Sequence, residues 1–241
     1  MDAESQASKL VAWIRERVAE AGRRGVVLGL SGGLDSSVLA GLCIRAFPQD
    51  THGVIMPCHS LPEDGAHARA LADRFNIPTA EVPLDNIFDA LLNTLPDYRP
   101  EAGIARLARA NLKARLRMVT LYYIANQRRY LVAGSGNRAE TTIGYFTKYG
   151  DGGVDIMPLG NLVKEQVREL ARHLDIPREI IAKPPSAGLW EGQTDEAEMG
   201  LSYDSLDRYI LTGDAPEELK NRIEAMKDAS RHKRAQPPTA E

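Results

Sequence analysis

The run Val26-Val27-Leu28-Gly29-Leu30 is followed without a spacer by Ser31-Gly32-Gly33-Leu34-Asp35-Ser36-Ser37. Four of the first five residues are apolar and two are β-branched, the pattern of a short buried strand. The paired glycines let the backbone take φ > 0 and come close to a ligand. Ser36 and Ser37 are suited to cap a helix, and Val38 to Ile44 predicts a mostly apolar one. Strand, glycine turn and helix start in succession leave a nest of backbone N–H groups at the positive end of a helix dipole, which suits phosphate. Asp35 would repel an anion there unless a divalent cation bridges the two.

A Walker A loop needs Gly-Lys-Ser/Thr, and this stretch has no lysine. A dinucleotide fingerprint needs Gly-x-Gly-x-x-Gly, and the spacing differs. Gly29-Leu30-Ser31-Gly32-Gly33 does fit the Gly-x-Ser-x-Gly nucleophile elbow, so a serine hydrolase with Ser31 as nucleophile is one reading. Against it, only one helix and one strand precede the elbow, with no upstream oxyanion segment. The longer match, Ser-Gly-Gly-x-Asp-Ser, resembles the pyrophosphate loop of the ATP pyrophosphatases. Those enzymes cleave ATP between its α and β phosphates to adenylate a substrate.

A chain of 241 residues can hold one α/β domain with a substantial core. Its net charge of −3 demands neither nucleic acid nor membrane. The start, Met1-Asp2-Ala3-Glu4-Ser5, lacks an apolar signal core, and no apolar run approaches spanning length. Two cysteines, Cys43 and Cys58, fit a reducing cytoplasm. Cys58-His59 beside His52 and His67 has no second cluster to make a zinc site, and reads as a buried thiol with surface histidines.

Along the chain, Ser5 to Ala21 predicts an amphipathic helix, with Leu10, Val11, Ile14 and Val18 on one face. Strands are predicted at Thr51–Met56, Ala80–Leu84, Tyr130–Gly134 and Val154–Leu159. With the first, these give a doubly wound, mostly parallel five-stranded sheet with helices on both faces. Helices are predicted over Glu63–Phe75, Asp85–Leu95, Glu101–Gln127 and Asn161–Leu174, with short ones near Leu206 and over Pro216–Ala229. In such a sheet ligands collect at the carboxyl ends of strands near the switch point. The turns at Ser31 and Ser135 would then share one edge, and Asp35 and Glu140 could share one metal.

The Glu101–Gln127 helix has more than one apolar stripe, which suits deep burial or a second subunit. From Ala102 to Ala139 there is no acidic residue against eight basic ones, which points to an anion on that side. Ala182 to Glu196, with Pro184-Pro185, Gly188 and Gly192, has no periodicity and is expected to be a lid.

Several separated stretches together resemble the NAD synthetases. These are Ser31 to Ser37, Lys113-Ala114-Arg115-Leu116-Arg117-Met118, Gly134-Ser135-Gly136-Asn137-Arg138-Ala139-Glu140 and Gly144-Tyr145-Phe146-Thr147-Lys148-Tyr149-Gly150-Asp151-Gly152. They continue through Asp155-Ile156-Met157-Pro158-Leu159, Lys164, Pro185-Ser186-Ala187-Gly188-Leu189, Gln193-Thr194-Asp195-Glu196 and His232-Lys233-Arg234. The match runs in order from about Leu10 to Pro237, and the Gly-Tyr-Phe-Thr-Lys-Tyr-Gly-Asp stretch is its narrowest part.

The resemblance implies a ligase of NAD biosynthesis. The nicotinate carboxylate of deamido-NAD is adenylated by ATP, and ammonia then displaces AMP to give NAD. Another carboxylate amidated by the same chemistry is the alternative. Carried over by position, Gly29, Leu30, Ser31, Gly32, Gly33, Leu34, Asp35 and Ser36 would hold ATP. Ser135, where the family usually has threonine, Lys164 and Ser186 would also contact it. Asp35 and Glu140 would bind Mg²⁺ and, with Lys164, form the catalytic set. Arg115, Lys148, Asp155, His232 and Lys233 would bind deamido-NAD. No protein nucleophile is needed, so catalysis would come from positioning and charge neutralisation. The resemblance further implies a cytoplasmic homodimer joined around Glu101–Gln127. With the synthetase motif beginning at Ser31, residues 1–241 are expected to be one domain without a glutaminase. Ammonia would then come from solution or a separate protein.

Overall fold

The computed structural model describes residues 2–240 except 187, 189 and 191. Helix α1 (Ala3–Glu20) opens on Asp2, whose Oδ1 accepts from the Glu4 N–H at 3.2 Å. Strand β1 (Gly25–Gly29), helix α2 (Leu34–Ala46), β2 (Thr51–Ile55), α3 (Pro62–Phe75) and β3 (Thr79–Glu81) then alternate. Helices α4 (Asp85–Thr94) and α5 (Ala102–Arg128) carry the chain back to β4 (Tyr130–Val132). Beyond it lie α6 (Arg138–Ile143), α7 (Lys164–His173), α8 (Arg178–Ala182), α9 (Asp195–Met199), α10 (Tyr203–Thr212), α11 (Glu217–Ala229) and α12 (Arg231–Arg234). No helix among the described residues is long and apolar enough to cross a membrane.

The strands are parallel and lie in the order β3-β2-β1-β4, with Val26 beside Thr51 on one side and Leu131 on the other. Alternation along β1 decides which helices cover which face. Val26 and Leu28 point into a cluster with Ile14 of α1, Leu39 and Leu42 of α2, Leu71 of α3 and Leu170 of α7. Val27 points the other way, with Val54 and Val132, onto Phe88 of α4 and Ala125 of α5. A strand buried on both faces needs the unbroken apolar run seen at Val26 to Leu28. A third cluster, with Ile143, Met199, Tyr203, Leu206 and Ile223, joins α6 to the C-terminal helices.

The sheet has four strands, not five. Val154 to Leu159 makes a single parallel bridge, Ala133 to Ile156. The Val132 N–H donates to the Asp155 side chain (Oδ2, 2.8 Å), so a carboxylate takes a bond that a fifth strand would have taken with its backbone. Pro158 then brings no N–H to extend the pairing. Two helix starts also move. Helix α7 begins at Lys164 rather than Asn161, with the Val163 N–H held by Gln166 Oε1 at 3.1 Å. Gly33, not a serine, is the N-cap of α2.

The order of strands reverses between β1 and β4, because β2 and β3 step outward on one side and β4 returns on the other. The crevice at the carboxyl ends of these two strands is therefore the switch point where open α/β sheets take ligands. Leu170 sits in the core where α7 meets α1 and α2, fully buried. Leu170→Ala should lower unfolding free energy by about 3 kcal/mol, read as a fall in urea midpoint at unchanged m.

Candidate active site

The glycine turn after β1 is held by its own hydroxyls. Ser31 Oγ lies 2.9 Å from Ser36 Oγ and accepts from the Gly33 N–H at 3.2 Å. Ser36 and Ser37 sit in the first turn of α2 and donate to the Gly33 carbonyl at 3.0 and 2.8 Å. Their hydroxyls thus turn back onto the N-cap instead of capping the helix. Gly32 has φ +75°, and a Cβ there would lie 2.2 Å from the Asp64 carbonyl oxygen, so only glycine fits. Among the described residues no histidine hydrogen-bonds to Ser31, so the base that a serine nucleophile requires is missing.

Three elements bring charge together beside this turn. Asp35 stands in the first turn of α2, Glu140 in that of α6, and Lys164 is the first residue of α7. The Lys164 ammonium, 2% exposed, lies 2.6 Å from Asp35 Oδ2 and 3.5 Å from Glu140 Oε1. Asn137 fixes both acids. Its Oδ1 accepts from the Glu140 N–H at 3.1 Å while Glu140 Oε2 accepts from the Asn137 N–H at 3.2 Å, a reciprocal cap of α6. Asn137 Nδ2 donates to Asp35 Oδ1 at 3.0 Å.

Burial works against the Lys164 charge, yet Asp35 and Glu140 outweigh it and hold its pKa above the ordinary lysine value. Burial pushes the Glu140 carboxyl well above the usual carboxylate range; Lys164 opposes this, and Asp35 and Asp195 add to it. Asp195, also buried, is raised for the same first reason. Three carboxyl groups thus crowd one ammonium in a poorly solvated place, where burial and mutual repulsion favour their protonated forms and a further cation would favour the charged ones. Hard carboxylate oxygens on two helix starts are a donor set that suits Mg²⁺ shared with phosphate.

A cleft of about 970 Å³ opens over this cluster. Every predicted ATP-side residue except Gly32 borders it, Ser135 and Ser186 included. So do Lys183, Gly188 and Trp190 of the expected lid; its residues 187, 189 and 191 lie outside the described residues. The Lys183 ammonium pairs with Asp64, and the Arg106 guanidinium of α5 stacks 5.0 Å from the Trp190 ring.

The residues predicted for the second substrate fall into two places. Arg115 Nη2 donates to the Lys148 carbonyl at 3.4 Å, and Lys148 Nζ to the His232 carbonyl at 2.6 Å. Lys233, bordering the cleft, donates to the carbonyls of Gly144 and Phe146, both at 2.8 Å. Asp155 stands apart from these, bonded to Tyr122 Oη (3.0 Å) and the Val132 N–H.

The model of the NAD synthase family matches residues 6–237. The chain belongs to that family. It is 51% identical to the NH(3)-dependent NAD(+) synthetase of Carboxydothermus hydrogenoformans, over 97% of this chain and 96% of that one. Against the enzyme of the same name from Syntrophomonas wolfei it is 47% identical, over 100% and 97%. The NMN synthetase of Francisella tularensis has a structure that superposes with a TM-score of 0.93, at 36% identity, covering 100% of this chain and 99% of that one.

Within this family site, sequence reasoning missed Asn137, Tyr145, Asp195 and Tyr203. Asn137 was findable, since Asn followed three residues later by Glu before an apolar helix is a capping signature. Asn137→Ala should cost about 1 kcal/mol through the lost cap. Asn137→Asp should keep the cap and yet destabilise more, because a second carboxylate then faces Asp35; urea melts of both variants at neutral pH check the order.

Proposed function

We propose that this chain makes NAD by amidating the nicotinate carboxylate of deamido-NAD with ammonia at the expense of ATP. The observation that carries the reading is the convergence of Asp35, Glu140 and Lys164 beside the Ser31–Ser36 turn, in a chain of this family. A carboxylate resists amines until one oxygen becomes a good leaving group. Its oxygen attacks the α-phosphorus of ATP, the α–β bridging bond breaks, and pyrophosphate leaves. Ammonia then adds to the acyl carbon, AMP departs with the former carboxylate oxygen, and a proton is lost to give the amide.

The chain's own work is to bind and align. Backbone N–H groups of the Ser31–Ser36 turn and the hydroxyls of Ser135 and Ser186 hold the triphosphate. Asp35 and Glu140 hold Mg²⁺, which neutralises phosphate charge when bound. Lys164 gives up part of its pairing with Asp35 to the phosphates. Arg115, Lys148, Asp155, His232 and Lys233 receive the dinucleotide acid. Exposed Ile104, Val119 and Tyr123 along α5 support pairing with a second copy there. The two thiols, Cys43 and Cys58, are both buried and free, in keeping with a reducing cytoplasm. The chain works as one synthetase domain, fed with ammonia from solution or a separate protein.

The likeness to an NMN synthetase favours a second reading, in which the acid is nicotinate mononucleotide. The two acids share the reacting carboxylate and differ in the adenylate half. Purified protein with ATP, Mg²⁺ and ammonium should convert deamido-NAD with release of AMP and pyrophosphate, followed by phosphorus NMR. ADP and phosphate as products would reject adenylation, and a higher kcat/KM for nicotinate mononucleotide would establish the second substrate. Asp35→Asn should lower kcat/KM roughly a hundredfold or more while the far-ultraviolet circular dichroism stays native; wild-type activity would reject its role in holding the metal.

A further inference from the structure

The chemistry above gives no task to Tyr203 and Asp195, yet they are among the most buried polar groups in the molecule. Tyr203 is fully buried in the cluster that joins α6 to the C-terminal helices. The face of its ring lies 4.6 Å from the Lys164 ammonium, a cation–π contact. Its hydroxyl stands 2.9 Å from Asp195 Oδ2 and 3.3 Å from Glu140 Oε1. A phenol carries one proton, and two carboxylates compete for it. The shorter contact takes it, so the hydroxyl donates to Asp195 and presents oxygen to Glu140.

That choice matters for Glu140. With the proton turned to Asp195, Glu140 Oε1 keeps, among the described residues, only the distant Lys164 ammonium as a donor. Without a strong acceptor at 195, the phenol would donate to Glu140 and occupy that oxygen. Asp195 is itself held on several sides. It is 5% exposed, its N–H donates to the Pro185 carbonyl at 3.0 Å, and Tyr145 Oη, whose proton goes to Glu198 Oε2 at 2.5 Å, stands 3.2 Å from Oδ1. Thr194 caps the helix that Asp195 begins.

We propose that Asp195, acting through the Tyr203 hydroxyl, keeps a Glu140 oxygen available to the metal ion. Both act as positioning residues, through Glu140 rather than on the reacting atoms. The proposal rests on the reading of Asp35 and Glu140 as the metal pair, and predicts coupling between positions 195 and 203 that a charge effect or a packing effect would not produce.

The test is a titration of Mn²⁺ in the presence of α,β-methylene-ATP, with free manganese counted by electron paramagnetic resonance. Asp195→Ala should weaken binding roughly tenfold, Asp195→Asn less, since an amide oxygen accepts more weakly than a carboxylate. Tyr203→Phe keeps the ring under Lys164 and should bind within about twofold of wild type. In the Tyr203→Phe background either change at 195 should cost less than about threefold. The near-isosteric Asn variant carries the comparison where the Ala variant fails to give a cooperative melt. Equal losses in the Tyr and Phe backgrounds, or no loss from either change at 195, would overturn the proposal. The Asp35→Asn variant separates the two readings: if it binds manganese like wild type, the metal assignment itself falls and the coupling falls with it.

Discussion

One ammonium, that of Lys164, ties together the starts of three helices that are far apart along the chain. It bonds to Asp35 on α2 and faces Glu140 on α6 from the first residue of α7. Buried charge of this kind costs desolvation, and removing one partner leaves the other uncompensated. The fold tolerates the arrangement because each acid has other hydrogen bonds, Asp35 from Asn137 and Glu140 from the backbone of the same residue. The cluster therefore stands in place without ligand, its carboxylates facing the cation that would have to bridge them to a triphosphate. Preorganisation of this sort lets alignment and charge neutralisation do the catalytic work with no protein nucleophile.

The sheet explains why these helix starts meet. Strand order reverses between β1 and β4, so the loops leaving those strands turn away from each other and open a crevice. Helix α2 starts from one side of it and α6 from the other. Helix α7 packs on α1 and α2, with Val167 and Leu170 in the core, and delivers Lys164 to the same point. The apolar core and the polar cluster are thus two ends of the same elements.

Much of this was legible in the sequence, and the reasons are specific. Val26 to Ser37 carries strand, turn and helix signals within a dozen residues, so local propensity alone suffices. That Asp35 and Glu140 come to one place, both facing Lys164, followed from parallel topology, which puts successive strand ends on one edge. The fifth strand was misread because an apolar run near Ile156 says nothing of the Asp155 carboxylate taking the backbone bond. Tyr203 was invisible for a different reason: its hydroxyl meets Glu140 across 63 residues, and no local pattern encodes that approach. Lys233 was read as a substrate contact; its present bonds to Gly144 and Phe146 show the same cation stitching the C-terminal helix to the Gly144–Gly152 stretch.

The sheet's two borders are both blunted. At one, β3 is three residues long, and Glu81 at its end is held by Arg69. At the other, the backbone beyond β4 is answered by the side chain and the single bridge of residues 155 and 156. Neither margin offers the long row of open donors and acceptors that templates runaway strand addition. With both strand edges short or covered, contacts of this chain with other chains fall to helices and loops rather than to an open edge of the sheet.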